Sequence, residues 1–201
     1  IGNQDAACIY VGKNLIIGAV SDGCTSGENL NGMSSNQVGA HFMSYLAVRT
    51  ARKLILKKQI STEFLVEPFQ QSILHDLRRS VNSINPWKFE RPEILRNFFS
   101  ATIILFIITQ NSYIVLSCGD GDTFVNEEKM ELTSSGGKYF ANNLFDLRYD
   151  VSEGYLINPE YRIKCVQLGE TKNLNNILIS TDGFLDSDVE EEPSFRKFFF
   201  E

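Results

Sequence analysis

Four short acidic motifs stand at the ends or turns of apolar, strand-like runs: Asn3-Gln4-Asp5-Ala6, Ser21-Asp22-Gly23, Cys118-Gly119-Asp120-Gly121-Asp122 and Ser180-Thr181-Asp182-Gly183. A carboxylate beside glycine after a buried strand is a poor core residue and a good ligand for a hard cation. One Asp-Gly pair says little, because it is also the commonest turn signal. Four such sites, each delivered by a strand end, are much more specific. If the sheets bring Asp5, Asp22, Asp120 and Asp182 to one edge, their charges repel strongly, and divalent cations remove that repulsion. Oxygen ligation without His or Cys selects Mg²⁺ or Mn²⁺ over Zn²⁺. The glycines after Asp22 and Asp182 let backbone carbonyls or water approach where a Cβ would obstruct. Two such ions ~3.5–4 Å apart would activate a bridging water and stabilise a phosphoryl transition state. The competing reading, turn aspartates that merely cap loops, fits any one motif well and all four together poorly.

The hydropathy pattern supplies the elements that must position these residues. Asp5 to Tyr10 and Leu15 to Ser21 read as strands joined by a tight turn at Gly12-Lys13-Asn14. From Gly23 to Asn31 the chain is a Gly, Ser, Thr and Asn-rich loop. The period changes at Ser34: Val38, Phe42, Leu46 and Leu54, flanked by Met43, Ala47, Ala51 and Ile55, mark a long amphipathic helix. Arg49, Arg52, Lys53, Lys57 and Lys58 crowd its C-terminal half, where a solvated face and the helix macrodipole account for them. Ser61 or Thr62 caps a second helix carrying Leu65, Phe69, Ile73, Leu77, Val81 and Ile84. Pro68 is late for a first-turn proline and either kinks that helix or moves its start. Asn85-Pro86 ends it. Strands follow at Ser100 to Thr109, Tyr113 to Cys118, Thr123 to Asn126, Tyr161 to Leu168 and Asn176 to Thr181. The irregular, polar-aromatic stretch from Ser134 to Asn158 is placed on the surface. This order predicts an α+β fold of antiparallel sheets and helices, not alternating βαβ units.

Bulk properties exclude several function classes. The 201 residues suffice for one core, and 43% hydrophobic with 22% charged residues is ordinary for a soluble protein. A net charge of -6 argues against a broad grip on nucleic acid or an anionic membrane. The apolar run from Ala101 to Ile108 is far below the ~20 residues that span a bilayer. Cys8, Cys24, Cys118 and Cys165 form no Cys-x-x-Cys pair, so a zinc ribbon or thioredoxin-like motif is excluded. His41 and His75 both fall in helical patterns, leaving few bases for a Ser-His-Asp or Cys-His site. Reduced cysteines and no visible signal peptide predict a cytoplasmic protein.

These motifs together resemble the metal-dependent protein phosphatases of the PPM, or type 2C, family, especially divergent bacterial members. Asn3-Gln4-Asp5 is similar to the family's Asn/Met-Glu-Asp motif, and Val20-Ser21-Asp22-Gly23 to its second Asp-Gly motif. Ser100-Ala101-Thr102 matches the start of a central strand, Cys118-Gly119-Asp120-Gly121 the Gly-Asp-Ser/Gly motif, and Leu178 to Gly183 the apolar-Ser-Asp-Gly motif. The resemblance implies a four-layer α-β-β-α sandwich over residues 1–201, a single catalytic domain cut at both ends. It implies that Asp22 bridges two Mn²⁺ or Mg²⁺ ions, that the Gly23 carbonyl touches one and Asp182 the other, and that Asp5 orients water. Asp120 would help hold a third, weaker ion. The implied activity is hydrolysis of phosphoserine and phosphothreonine in phosphoprotein substrates by a metal-activated water, carried out by a monomer.

The sequence departs from the family pattern in places. Gln4 replaces a Glu, and Cys24 stands where relatives carry His or Met. The resemblance places the family's phosphate-gripping Arg before Ile1, and residues 1–201 contain no Asp-Asn pair to match the family's final strand. The apolar run Phe195, Phe198, Phe199 and Phe200 predicts that the natural chain continues into such a strand. Two other readings compete: a catalytically weak member of the fold that binds phosphoproteins or a regulatory partner, and an unrelated acidic binding module.

Overall fold

The computed structural model describes residues 5–24, 36–83, 94–95, 98–132, 139–144 and 157–181. In chain order they form β1 (Asp5–Val11), β2 (Leu15–Asp22), α1 (Asn36–Lys58), α2 (Val66–Ser83), β3 (Ile103–Thr109) and β4 (Ser112–Cys118), then β5 (Asp122–Val125), β6 (Glu128–Lys129), β7 (Lys164–Glu170) and β8 (Ile177–Ser180). A five-stranded antiparallel sheet runs β1-β2-β3-β4-β7, and a three-stranded antiparallel sheet runs β6-β5-β8. This is the expected α+β fold with two antiparallel sheets.

The continuous apolar run of β3 is explained by burial on both faces. Ile103, Leu105 and Ile107 pack into the core shared with α1 and α2, while Phe106 and Ile108 join Tyr113, Val115 and Val125 on the side of the second sheet. α1 lies across β1, β2 and β3, and α2 packs beside α1. Ala40, Ala47 and Ala51 are fully buried on α1, so the helix approaches the sheet closely. Among the described residues both α-helices belong to this one outer layer, and neither is long and apolar enough to cross a membrane.

Two expectations need correction. Ser61 makes no capping bond through its side chain; it precedes a 3-10 turn at Thr62–Phe64, and α2 begins only at Val66. Pro68 thus falls in the first turn, where its missing N–H has no helical partner to lose. Part of the stretch placed on the surface is in the core instead. Phe140–Leu144 is a 3-10 turn with Phe140, Ala141, Asn143 and Leu144 buried, packed on α2. Asn143 makes that burial tolerable: its Nδ2 donates to the Phe140 and Tyr161 carbonyls, and its Oδ1 accepts from the Asn158 N–H.

Candidate metal centre

The Ser21-Asp22-Gly23 end of β2 is fastened by Thr102, just before β3. The Asp22 N–H donates to Thr102 Oγ1 at 2.9 Å, and the Thr102 N–H donates to the Asp22 carbonyl at 2.9 Å. Ser21 Oγ donates to the Thr102 carbonyl. Ser21 and Thr102 are both buried, so these bonds are shielded from competing water. One residue on, Gly23 faces Ala101 in an isolated antiparallel bridge, and the Cys24 N–H donates to the Ser100 carbonyl at 2.9 Å. A bridge bounded by the Asp22–Thr102 and Cys24–Ser100 bonds is of the non-hydrogen-bonded type. The N–H and carbonyl of Gly23 therefore turn away from β3, toward the side of β1.

Across β2 on that side, Asp5 is the register partner of Asp22. Directly opposed residues of an antiparallel pair share a face with Cα atoms about 4.5–5.5 Å apart, and like charges so placed repel. Asp5 also lines a cavity of about 320 Å³ whose other wall is Leu178, Ile179, Ser180 and Thr181 of β8 and its end. Thr181 directly precedes Asp182. Among the described residues, Ser180 Oγ is buried there without a hydrogen-bond partner.

Asp120 is held by its glycines. Gly119 and Gly121 have φ of +115° and +130°, values costly for any residue with a Cβ. A Cβ on Gly119 would lie 2.6 Å from Thr102 Cβ, and one on Gly121 would lie 2.5 Å from the Ser180 carbonyl oxygen. The turn bearing Asp120 is thereby wedged between the residue that fastens Asp22 and the strand that leads to Asp182. The neighbouring Asp122 has another fate: it pairs with Lys129 at 3.0 Å and registers opposite Ser180 within the second sheet.

Tyr139 reports on the same neighbourhood. Burial pushes its phenol above the ordinary tyrosine range, and a side-chain hydrogen bond with Cys24, with the charges of Cys24, Asp120 and Asp22, pushes it the same way. Tyr139 therefore lies beside Cys24 and within electrostatic reach of Asp22 and Asp120. Sequence reasoning missed Tyr139, which belongs to no motif.

Asn3, Gln4, Asp182, Gly183 and Phe195 to Phe200 lie outside the described residues. Among the described residues no three His, Cys, Asp or Glu side chains converge as a metal-holding group. What the described part brings to this edge is a facing carboxylate pair and a backbone carbonyl turned off the ladder, a donor set that suits a hard cation in kind.

Along residues 1–201 the chain matches the family model described as protein phosphatase 2C. It belongs to the protein phosphatase 2C family. Among solved structures it is similar to serine/threonine phosphatase Stp1 from Staphylococcus aureus, at 12% identity and a TM-score of 0.53, over 94% of this chain and 75% of that one. A bacterial serine phosphatase matches at 15% identity and a TM-score of 0.50, over 94% of this chain and 76% of that one. Both likenesses are of fold. No curated protein sequence matches the chain.

Proposed function

We propose that the protein is a Mn²⁺- or Mg²⁺-dependent protein serine/threonine phosphatase acting on phosphoserine and phosphothreonine. One observation carries the reading: Asp5 and Asp22 oppose each other across the β1–β2 ladder, beside the glycine-bounded turn of Asp120. Like charges so placed repel, and a hard cation held between them removes that repulsion. Asp22, the Gly23 carbonyl and Asp182 would hold the ions, with Asp120 holding a further one more weakly. Bound ions of this kind supply Lewis-acid polarisation of water and of the phosphoryl oxygens.

This chain's own residues contribute positioning. Thr102 holds the Asp22 backbone through two hydrogen bonds, and Ser21 in turn holds the Thr102 carbonyl, so the Asp22 carboxylate projects from a rigid anchor. Asp5, from the neighbouring strand, would orient the attacking water. The glycines on either side of Asp120 hold its turn against two strands at once.

The test is hydrolysis of a phosphothreonine peptide with Mn²⁺, with Mg²⁺ and with chelator. Phosphate release that depends on the metal supports the proposal. Binding of Mn²⁺ and of the phosphopeptide without hydrolysis would replace it with the phosphoprotein-binding reading.

A further inference from the structure

The exposed side chains of α1 keep to one face from Gln37 to Lys53, and the exposure widens at Leu56, Lys57 and Lys58. Its C-terminal half shows Arg49, Arg52, Lys53, Leu56 and Lys57 along a groove of about 370 Å³. The chain as a whole holds 19 Lys and Arg against 25 Asp and Glu. Five of those cations are on this helix, which contains no Asp or Glu. Exposed helix faces ordinarily mix signs at i and i+4, because like charges so spaced repel. The macrodipole favours cations only within the last turn, which is Lys57 and Lys58. It does not reach Arg49, Arg52 and Lys53, which a solvated face tolerates without calling for one sign of charge. Among the described residues none of Arg49, Arg52, Lys53 and Lys57 forms an ion pair. Arg52 lies over the Tyr10 ring of β1 at 4.4 Å from its centroid, which holds the guanidinium in place without neutralising it.

We propose that this stripe docks an acidic segment of a protein partner, and that this segment belongs to the phosphoprotein substrate. The second clause rests on the phosphatase reading; the docking does not. From residue 49 to residue 57 the cations span about 12 Å, the reach of roughly four extended peptide residues. That footprint suits a short acidic run. A nucleic acid or an anionic bilayer would meet the rest of a molecule that is net negative. The same exposed line continues through Tyr45, His41 and Val38 toward the N-terminal end of α1. There Gly39 abuts the Phe98 carbonyl, two residues before the Ser100 that bonds Cys24. The exposed line of α1 therefore runs toward the end of the sheet that carries Asp22. Fourteen residues of helix separate Arg52 from Val38, about 21 Å, so the acidic run would lie about six or more residues from the phosphorylated one.

The experiment is fluorescence anisotropy of a short labelled glutamate peptide with the full chain, against a glutamine peptide of equal length. Salt should weaken glutamate binding, and the double variant Arg49→Glu/Lys53→Glu should lose it by about tenfold or more. Arg49→Gln/Lys53→Gln, gentler on the fold, should lose an intermediate amount. With a phosphothreonine peptide carrying an acidic tail, the double variant should raise KM and leave kcat unchanged, while turnover of a small aryl phosphate stays the same. Equal binding by wild type and variant overturns the proposal. Tighter, variant-sensitive binding of an oligonucleotide or of phosphatidylserine vesicles overturns it too. Glutamate binding that behaves as expected in a protein that hydrolyses nothing would keep the docking surface and sink the phosphatase.

Discussion

The aspartate edge and the basic stripe are opposite in charge, and they are built by opposite means. At the edge the backbone is irregular: a threonine hydroxyl takes a ladder bond, Gly23 stands in an isolated bridge, and two glycines adopt positive φ. At the stripe the backbone is regular helix, and only exposed side chains carry the charge. A site that must hold oxygen atoms at fixed separations spends buried hydrogen bonds on doing so. A surface that needs only net charge can be written on any helix. The difference predicts that edge substitutions disturb folding and chemistry together, whereas stripe substitutions leave folding alone.

The largest effect is expected at Cys118, the last residue of β4, just before the Asp120 turn. Its buried thiol donates to the Tyr161 carbonyl, and burial pushes it from 9.0 up to about 12, against a smaller lowering by Lys164. The fold favours the neutral thiol, so its contribution is intact below pH 9 and is lost as pH rises from 9 to 12. Stability should fall by up to about 1.4 kcal/mol per pH unit in that window, on the order of 4 kcal/mol in all. Urea titrations of wild type and Cys118→Ala between these pH values would detect a flatter slope in the variant.

Gly121→Ala comes next, at about 3 kcal/mol, from a positive φ and an overlap with backbone that cannot swing aside. Its midpoint in urea should drop, with Mn²⁺ binding weakened in step. Thr102→Val keeps the shape but removes the acceptor for the part-buried Asp22 N–H, costing about 1–2 kcal/mol. Metal affinity should fall with it, since Asp22 loses its anchor. Lys53→Ala should change stability by less than about 0.5 kcal/mol, because it is exposed and unpaired among the described residues. A stripe variant as damaging as Thr102→Val would erase the distinction between the two regions.

Much of the edge could be read from the sequence, because strand ends announce themselves where apolar alternation stops at Asp-Gly. Asp5 and Asp22 could be named as partners in chemistry, but their facing register depends on the length of the Gly12-Lys13-Asn14 turn, which fixes the whole hairpin. Thr102 matched a motif without revealing its role, since a hydroxyl replacing a backbone donor or acceptor leaves no periodic trace. Tyr139 was invisible for a related reason. It precedes a 3-10 turn whose burial depends on Asn143 bonding residues distant in sequence. The basic cluster was plain, yet its lack of ion pairs is a fact of three dimensions. Asp182 lies outside the described residues, so its place beside Thr181 remains part of the proposal.

The central claim is that Asp22, and not merely any carboxylate in this acidic chain, anchors a hard-cation site. The most direct measurement is Mn²⁺ binding by calorimetry or electron paramagnetic resonance for wild type, Asp22→Asn and Asp122→Asn. Asp122 is the fitting control because it already pairs with Lys129. Asp22→Asn should weaken Mn²⁺ binding at least about tenfold, since loss of even a group that only orients a ligand typically costs about 10–100-fold, while Asp122→Asn binds like wild type. Equal binding by Asp22→Asn and wild type, or an equal loss in both variants, would contradict the account.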